Sequence, residues 1–393
     1  MSKSHPPSGS TNRDRTSDRP LTQVVETDLD SPSTRTGLRS SVVIAAYNAE
    51  RSLAETLDSL EVQTLRPHEI IVVDDGSTDR TSEIANDHAV DVTLIRTPNR
   101  GMCAARNEAI EASSGELICI LDADDLWHPN YVERMTSMME RHPEAGSGFS
   151  RYRAWQSPTQ KPAAWEERVD GGHHLHDLDS FLSIGRSGLP VLPSFHVTRR
   201  EVLRRLGPRP FREDQVQGEA AFLFALLGAV APVVEHVAPL GRYRMHSEAM
   251  TGDEMDAARR IEPCIDDLRS AAGGGLGLEL ELDAGSRRSI DRHACDWYRR
   301  CGRRLGGGGS TGEGRRQLIK AARLGDRKAA LMVAASFLPG ISERIWIRAW
   351  RPKAARRDPA VGNSEESGVD RIGSESSDER ITGGTSPNGP LER

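Results

Sequence analysis

Between residues 39 and 140, short apolar runs alternate with stretches whose apolar residues recur at helical spacing. Ser41-Val42-Val43-Ile44-Ala45-Ala46 and Glu69-Ile70-Ile71-Val72-Val73 are brief, β-branched and nearly free of polar residues, the pattern of buried strands. Between them Leu53, Leu57 and Leu60 repeat with a helical period across residues 50–63, which predicts a strand-helix-strand unit and a parallel strand pair. Asp79 is placed to cap a second helix carrying Ile84 and Ala85. Residues 92–95 then read as a third strand, 101–112 as a helix and 117–121 as a further strand. Pro129 suits the first position of the next helix, whose inward side carries Val132, Met135 and Met139.

Beyond residue 141 the pattern is sparser. Residues 192–198 read as a strand followed by a helix running towards Leu206-Gly207, and 220–234 as a buried helix interrupted by Gly228 and Pro232. Residues 290–305 predict a helix, and 315–337 a helix pair or one long helix. The glycine runs 273–277 and 306–309 follow no strand and read as loops that set boundaries. His173-His174-Leu175-His176-Asp177 lies in a glycine-flanked polar stretch and reads as a solvated loop, not a metal site.

The chemistry gathers where the early strands end. In an open parallel α/β sheet, ligands bind outside the carboxyl ends of the strands, so residues following each strand converge on one crevice. The first strand ends at Tyr47-Asn48, the second at Asp74-Asp75, and the strand at 117–121 runs into Asp122-Ala123-Asp124-Asp125. An acidic loop alone is commonly just a solvated turn. Three strand ends bearing an aromatic ring, a pair of acids and an acidic cluster instead suit a base to stack, a base N–H to accept and a hard cation on a diphosphate.

These residues resemble family 2 glycosyltransferases. The resemblance rests on Val43-Ile44-Ala45-Ala46-Tyr47-Asn48, Val73-Asp74-Asp75-Gly76-Ser77-Thr78-Asp79, Asn99-Arg100-Gly101 with Ala105-Arg106-Asn107, and Leu121-Asp122-Ala123-Asp124-Asp125, in that order. It is strong over residues 39–140 and weaker over 141–250. It implies a GT-A fold, Rossmann-like and mostly parallel with flanking helices, and an inverting, metal-dependent transfer. By that similarity Ala46, Tyr47, Asp75, Arg106, Asp122 and Arg244 line the nucleotide-sugar pocket. Asp122, Asp124 and His246 would hold Mg²⁺ or Mn²⁺.

Glu219 stands where the family usually carries a Glu-Asp pair, with Ala220 replacing the second acid. Glu219 is the expected catalytic base, Asp214 the nearby rival, and a plain helix-opening Glu the bland alternative. The departure leaves open a binding or scaffold protein of the same fold that holds a nucleotide sugar without transferring it. A receiver-like signalling domain fits poorly, because no strand-end Lys follows in the expected order. A sugar-1-phosphate nucleotidyltransferase would need a Gly-rich basic loop where Tyr47-Asn48-Ala49-Glu50 stands.

Composition refines this picture only in part. At 393 residues the chain can bury a large core, and a net charge of −6 does not suggest a nucleic-acid partner. The expected organisation is a disordered tail at 1–38, a GT-A domain at 39–250 (nucleotide-sugar half 39–140, acceptor half 141–250), a helical extension at 251–354 and a disordered tail at 355–393. Five cysteines without paired spacing argue for reduced thiols. The amino terminus lacks a signal-peptide core, and no apolar run reaches the ~20 residues of a membrane span, so the expected location is cytoplasmic. The expected partners are a nucleotide-sugar donor and a glycan or lipid-linked acceptor. Residues 343–357 combine Trp346 and Trp350 with basic side chains, suiting either peripheral contact with an anionic leaflet or packing on the catalytic domain.

Overall fold

The computed structural model describes residues 24–25, 37–156, 164–166, 171–187, 192–214, 219–245, 254–275 and 282–337. A single mixed sheet organises the chain, in the strand order β1-β8-β10-β7-β9-β5-β2-β3-β4 with β6 paired to β10. One side of it is parallel. There β2 (Ser40–Ala46) lies between β5 (Leu117–Ile120) and β3 (Glu69–Asp74), and β3 pairs in turn with β4 (Thr93–Arg96).

The other side mixes directions. β9 (His196–Arg199) runs antiparallel to both β5 and β7 (Ser147–Gln156), and β7 runs parallel to β10 (Val233–Met245). β10 is long enough to pair antiparallel with β8 (His173–His176) near its start and with β6 (Leu126–Trp127) near its end. Its register slips around Pro239, whose missing N–H is tolerated only where ladder pairing is interrupted.

The unbroken apolar character of the central strands is explained by burial on both faces. Alternate residues serve opposite layers. Val42, Ile44, Ile70 and Val72 pack with Leu53, Leu57 and Leu60 of α1 (Leu53–Glu61) and with Val132, Met135 and Met139 of α4 (Tyr131–Arg141). Val43, Ile71, Val73, Ile118 and Ile120 pack with α3 (Met102–Ala112) and with the apolar α7 (Glu219–Val230). The remaining helix of the parallel half, α2 (Thr81–Asp87), has Arg80 at its N-cap position; Asp79, expected to cap it, sits one residue earlier, where its Oδ1 accepts from Thr81 N at 3.0 Å.

Helices continue after the sheet. α8 (Glu254–Ala272) and α9 (Ala284–Gly307) add Cys264, Leu268 and Ile290 to the cluster containing α7, beside α5 (Leu178–Ser187). The region read as a helical extension therefore shares its apolar contacts with the sheet. α10 (Thr311–Arg323) and α11 (Arg327–Ala335) are two helices broken at Gly325, which has φ +94°. α6 (Arg200–Arg205) completes the set.

Local expectations and structure differ at four places. The run read as a helix to 234 ends at Val230, and beyond Pro232, which cannot continue a helix, Val233 and Val234 already belong to β10. The run read as a strand at 192–198 begins as a 3₁₀ turn, Pro193–Phe195, before β9, because Pro193 supplies no ladder donor. Within the amino-terminal segment read as disordered, Val24–Val25 forms β1 against β8. The largest correction is His173–His176, read as a solvated loop, which is β8 with His173 and His176 buried. Its pairing partner lies some sixty positions downstream, beyond any local window. The expected membrane-contacting segment 343–357 and the tail at 355–393 lie outside the described residues. Among the described residues, no helix is long and apolar enough to cross a membrane.

Candidate active site

The register Ala46↔Asp74 and Val43↔Ile120 brings the carboxyl ends of β3, β2 and β5 side by side. Each end continues the ladder by one more bond, Asp75 N to Ala46 O at 2.9 Å and Leu121 N to Val43 O at 3.1 Å. The residues following these strands therefore share one edge of the sheet, as the topology rule requires. Ala46 contributes backbone, since its methyl group is buried. Tyr47 is 52% exposed on that edge, an unusual placement for an aromatic ring unless something stacks on it.

The loop beneath Tyr47 is tightly held. Asn48 has φ +49°; its N–H donates to Ser77 Oγ at 2.9 Å, and its Oδ1 accepts from Thr78 N at 2.9 Å. The β2 and β3 loops are thus tied together through a side chain that tolerates left-handed backbone. Asp75 is buried and accepts from Thr97 Oγ1 at 3.2 Å, Arg100 N at 2.9 Å and Gly101 N at 2.7 Å. Gly101 opens α3 and has no side chain to cap it, so Asp75 supplies negative charge at that helix start from another strand. Asp75 is thereby a framework residue as well as a base-recognition candidate.

Arg106 and Asp122 meet directly, Nη2 to Oδ1 at 2.5 Å, with the guanidinium fully buried and its carbon 5.3 Å from the Phe211 ring centroid. The next residue, Asn107, clamps the same Phe211 as a peptide would, donating to its carbonyl at 2.7 Å and accepting from its N–H at 3.0 Å. One helical turn of α3 therefore couples the acidic loop to the segment that leads into α7. The sequence motif contained both residues, but nothing in it indicated Phe211.

Three carboxylates lie within the four residues 122–125. Asp122 is partly exposed, with one oxygen taken by Arg106. Asp125 is buried: Oδ1 accepts from Arg244 N at 2.9 Å, and burial, then the charges of Asp124 and Asp122, push its carboxyl well above the usual range, against a smaller pull from Ser194 and the Arg244 amide. Arg244, at the end of β10, also donates to the Asp124 carbonyl at 2.6 Å and to Glu55 at 2.5 Å and lies over Trp155. It braces the acidic loop against α1. The carboxylate oxygens of this loop are the donor type that a hard divalent cation such as Mg²⁺ or Mn²⁺ prefers.

Not every expected residue can be placed. His246 lies outside the described residues. Glu219 is the first residue of α7, as expected for an acid opening an apolar helix. Its rival Asp214 is exposed and held by both Arg212 Nε (3.0 Å) and Nη2 (2.6 Å). The hydrogen bond from Arg212 holds the Asp214 carboxyl below its ordinary value, which makes it a weak base. Sequence reasoning missed Ser194, whose hydroxyl accepts from Asp122 N at 3.1 Å and whose carbonyl accepts from Trp127 Nε1 at 2.6 Å. No local signal marks a serine that acts across more than sixty positions.

Comparison with known proteins agrees with this geometry. A family model described as glycosyl transferase family 2 matches residues 41–207. EpsH of Bacillus subtilis (strain 168) is 42% identical over 98 residues, covering 24% of this chain and 28% of EpsH. The amylovoran biosynthesis glycosyltransferase AmsB of Erwinia amylovora is 38% identical over 108 residues, 26% of this chain and 36% of AmsB. The chain thus aligns with about a third of the length of these two relatives.

Among solved structures, S. aureus TarS 1-349 in complex with UDP superposes with a TM-score of 0.53 at 17% identity, covering 79% of this chain and 89% of that one. The mannosyltransferase PcManGT from Pyrobaculum calidifontis, in complex with GDP-Man and Mn²⁺, gives a TM-score of 0.50 at 17% identity, covering 82% and 89%. The sheet order and flanking layers are those of the GT-A fold. The strand-end acids and the Arg106–Asp122 pair all lie within residues 41–207, the segment that matches the glycosyl transferase family 2 model.

Proposed function

We propose that this protein is a metal-dependent, inverting glycosyltransferase that moves a sugar from a nucleotide-diphosphate donor to a glycan or lipid-linked acceptor in cell-surface polysaccharide assembly. The observation that carries the reading is the convergence of Tyr47, Asp75 and the Arg106–Asp122 pair on one edge of the parallel sheet. Tyr47 stacks on the base, Asp75 accepts its N–H, and Asp122 and Asp124, with His246, hold Mg²⁺ or Mn²⁺. When bound, the cation offsets the negative charge that builds on the departing diphosphate. Glu219 takes the acceptor hydroxyl's proton, and the freed oxygen displaces the nucleotide at the anomeric carbon in one step. AmsB's role in amylovoran biosynthesis supports the polysaccharide assignment.

Thermal unfolding of the full chain with UDP, GDP, UDP-GlcNAc and GDP-Man, each with and without Mn²⁺, tests the donor half. A Mn²⁺-dependent rise in Tm with one nucleotide, lost in Asp124→Ala, is expected; no rise with any of them overturns the reading. For the base, Glu219→Gln is expected to keep donor binding and slow transfer ~10²-fold or more. Normal transfer by that variant would remove Glu219 from the mechanism. Unaltered donor binding by a wild-type protein that transfers to no acceptor would instead favour a nucleotide-sugar-binding scaffold. We further propose that the reaction is cytoplasmic and that residues 343–357 bring the enzyme to the membrane face. Cosedimentation with anionic vesicles that survives their deletion would refute that role.

A further inference from the structure

The antiparallel pairing of β8 with β10 sets His174 opposite Glu235, and the two-residue strand period puts His176 on the same face. Glu235 Oε2 lies 3.1 Å from His176 Nε2 and 3.6 Å from His174 Nδ1, and the three ligand atoms all fall within 4.8 Å of one another. A tetrahedral ion with bonds of ~2.0–2.1 Å sets its ligands about 3.3 Å apart, midway between the two observed distances. The two imidazole nitrogens and the carboxylate oxygen are the donor set of a borderline cation, not of Mg²⁺.

The surroundings are those of a supported site. Ser180 Oγ lies 2.8 Å from His176 Nδ1, orienting the ring so that Nε2 faces Glu235. Arg151 Nε donates to Glu235 Oε1 at 2.7 Å, leaving Oε2 to the histidines. Such outer partners fix the tautomer and direction of metal ligands. His176 and Glu235 are buried and His174 is partly exposed, so the trio is closed on the protein side and open on one. Arg244 lies nine positions beyond Glu235 on β10, roughly 30 Å along the strand, so this cluster is distinct from the acidic loop.

We propose that His174, His176 and Glu235 form a Zn²⁺-class metal site that ties β8 to β10. A water completes the coordination on the open side. Among the described residues, β8 pairs with β10 over four positions and with β1 over two, and a metal bridging β8 and β10 would fix the region where the acceptor half departs from the parallel sheet.

The test uses the full chain carrying Asp124→Ala, which removes metal binding at the donor loop from the readout. Co²⁺ and Zn²⁺ are titrated in separately. One equivalent of Co²⁺ giving the visible absorption of a four-coordinate nitrogen-oxygen site, displaced by Zn²⁺ with a rise in Tm, is expected. Adding His174→Ala should abolish that spectrum and weaken Zn²⁺ at least about 100-fold, while Ser180→Ala weakens it about tenfold. His174 is partly exposed, and the metal-free Tm of the variant reports whether it folds; His174→Asn serves as the second variant. Absence of stoichiometric binding, or binding that His174→Ala and His174→Asn leave unchanged, overturns the site. Nucleotide-dependent stabilisation by Mn²⁺ in the wild type is read separately, so failure here does not touch the donor-site reading.

Discussion

Asp75→Asn isolates the framework role of the acid at the end of β3. The carboxylate is buried and accepts three bonds, two on Oδ1 (Thr97 Oγ1 and Arg100 N) and one on Oδ2 (Gly101 N). Asparagine keeps one acceptor oxygen. In either flip its NH₂ faces a backbone N–H, Gly101 in one and Arg100 in the other. The lost charge-assisted bond costs about 1.5–3 kcal/mol, and the loss of a negative charge at the start of α3 about 0.3–1 kcal/mol more. The sum is about 2–4 kcal/mol, a large share of a typical folding free energy of ~5–15 kcal/mol but short of unfolding the protein. At ~2 °C per kcal/mol the melting temperature should fall by about 4–8 °C. Thermal unfolding by circular dichroism in nucleotide-free buffer measures this, and hydrogen exchange should rise in the first turn of α3. A variant melting within ~1 °C of wild type would refute the capping argument and leave Asp75 with ligand recognition alone.

Three further outcomes follow from the same structure. Tyr47→Ala, at a half-exposed ring, should shift stability by less than ~0.5 kcal/mol yet weaken nucleotide binding about tenfold; unchanged affinity by calorimetry would remove Tyr47 from the pocket. Gly241→Ala drives a methyl group into the Phe195 ring, which is buried and stacked on Tyr152 at 5.0 Å and so cannot retreat; a loss of about 3 kcal/mol or more in urea unfolding is expected, and wild-type stability would show that Phe195 has another rotamer available. His196 is wholly buried against Phe224, and burial holds its imidazole down to about 3, against 6.5 for an ordinary histidine. As pH falls below 6.5 the unfolded chain binds a proton that the folded one refuses, so stability present above 6.5 is lost at about 1.4 kcal/mol per pH unit. Between pH 6.5 and 5 the wild type should therefore lose about 2 kcal/mol more than His196→Phe, and parallel stability profiles for the two proteins would refute it.

Much of the parallel half of the sheet was legible in the chain itself. Strands β2, β3 and β5 fall where short β-branched runs predict them, because burial on both faces demands continuous apolar character that a window of six residues displays. Tyr47, Asp75 and Asp122 follow those strands directly, so topology alone predicts that they share an edge. Helix α3 was equally visible, but what its residues touch was not. Arg106 is buried against Asp122 sixteen positions away, and Asn107 clamps Phe211 at a separation of 104. Neither partner leaves a mark on hydrophobic period or composition. The histidine stretch shows the limit most sharply: polar, flanked by glycine and free of β-branched residues, it carries the local signature of a loop. It is a strand because β10 offers it a ladder, and His176 finds Glu235 fifty-nine positions on only through that register. Periodicity and turn chemistry are properties of neighbouring residues, so they survive in the linear chain. Burial of a charge, capping of a helix by a distant acid, and convergence of imidazoles on a carboxylate depend on which segments the core brings together, and that is decided only when the sheet is assembled.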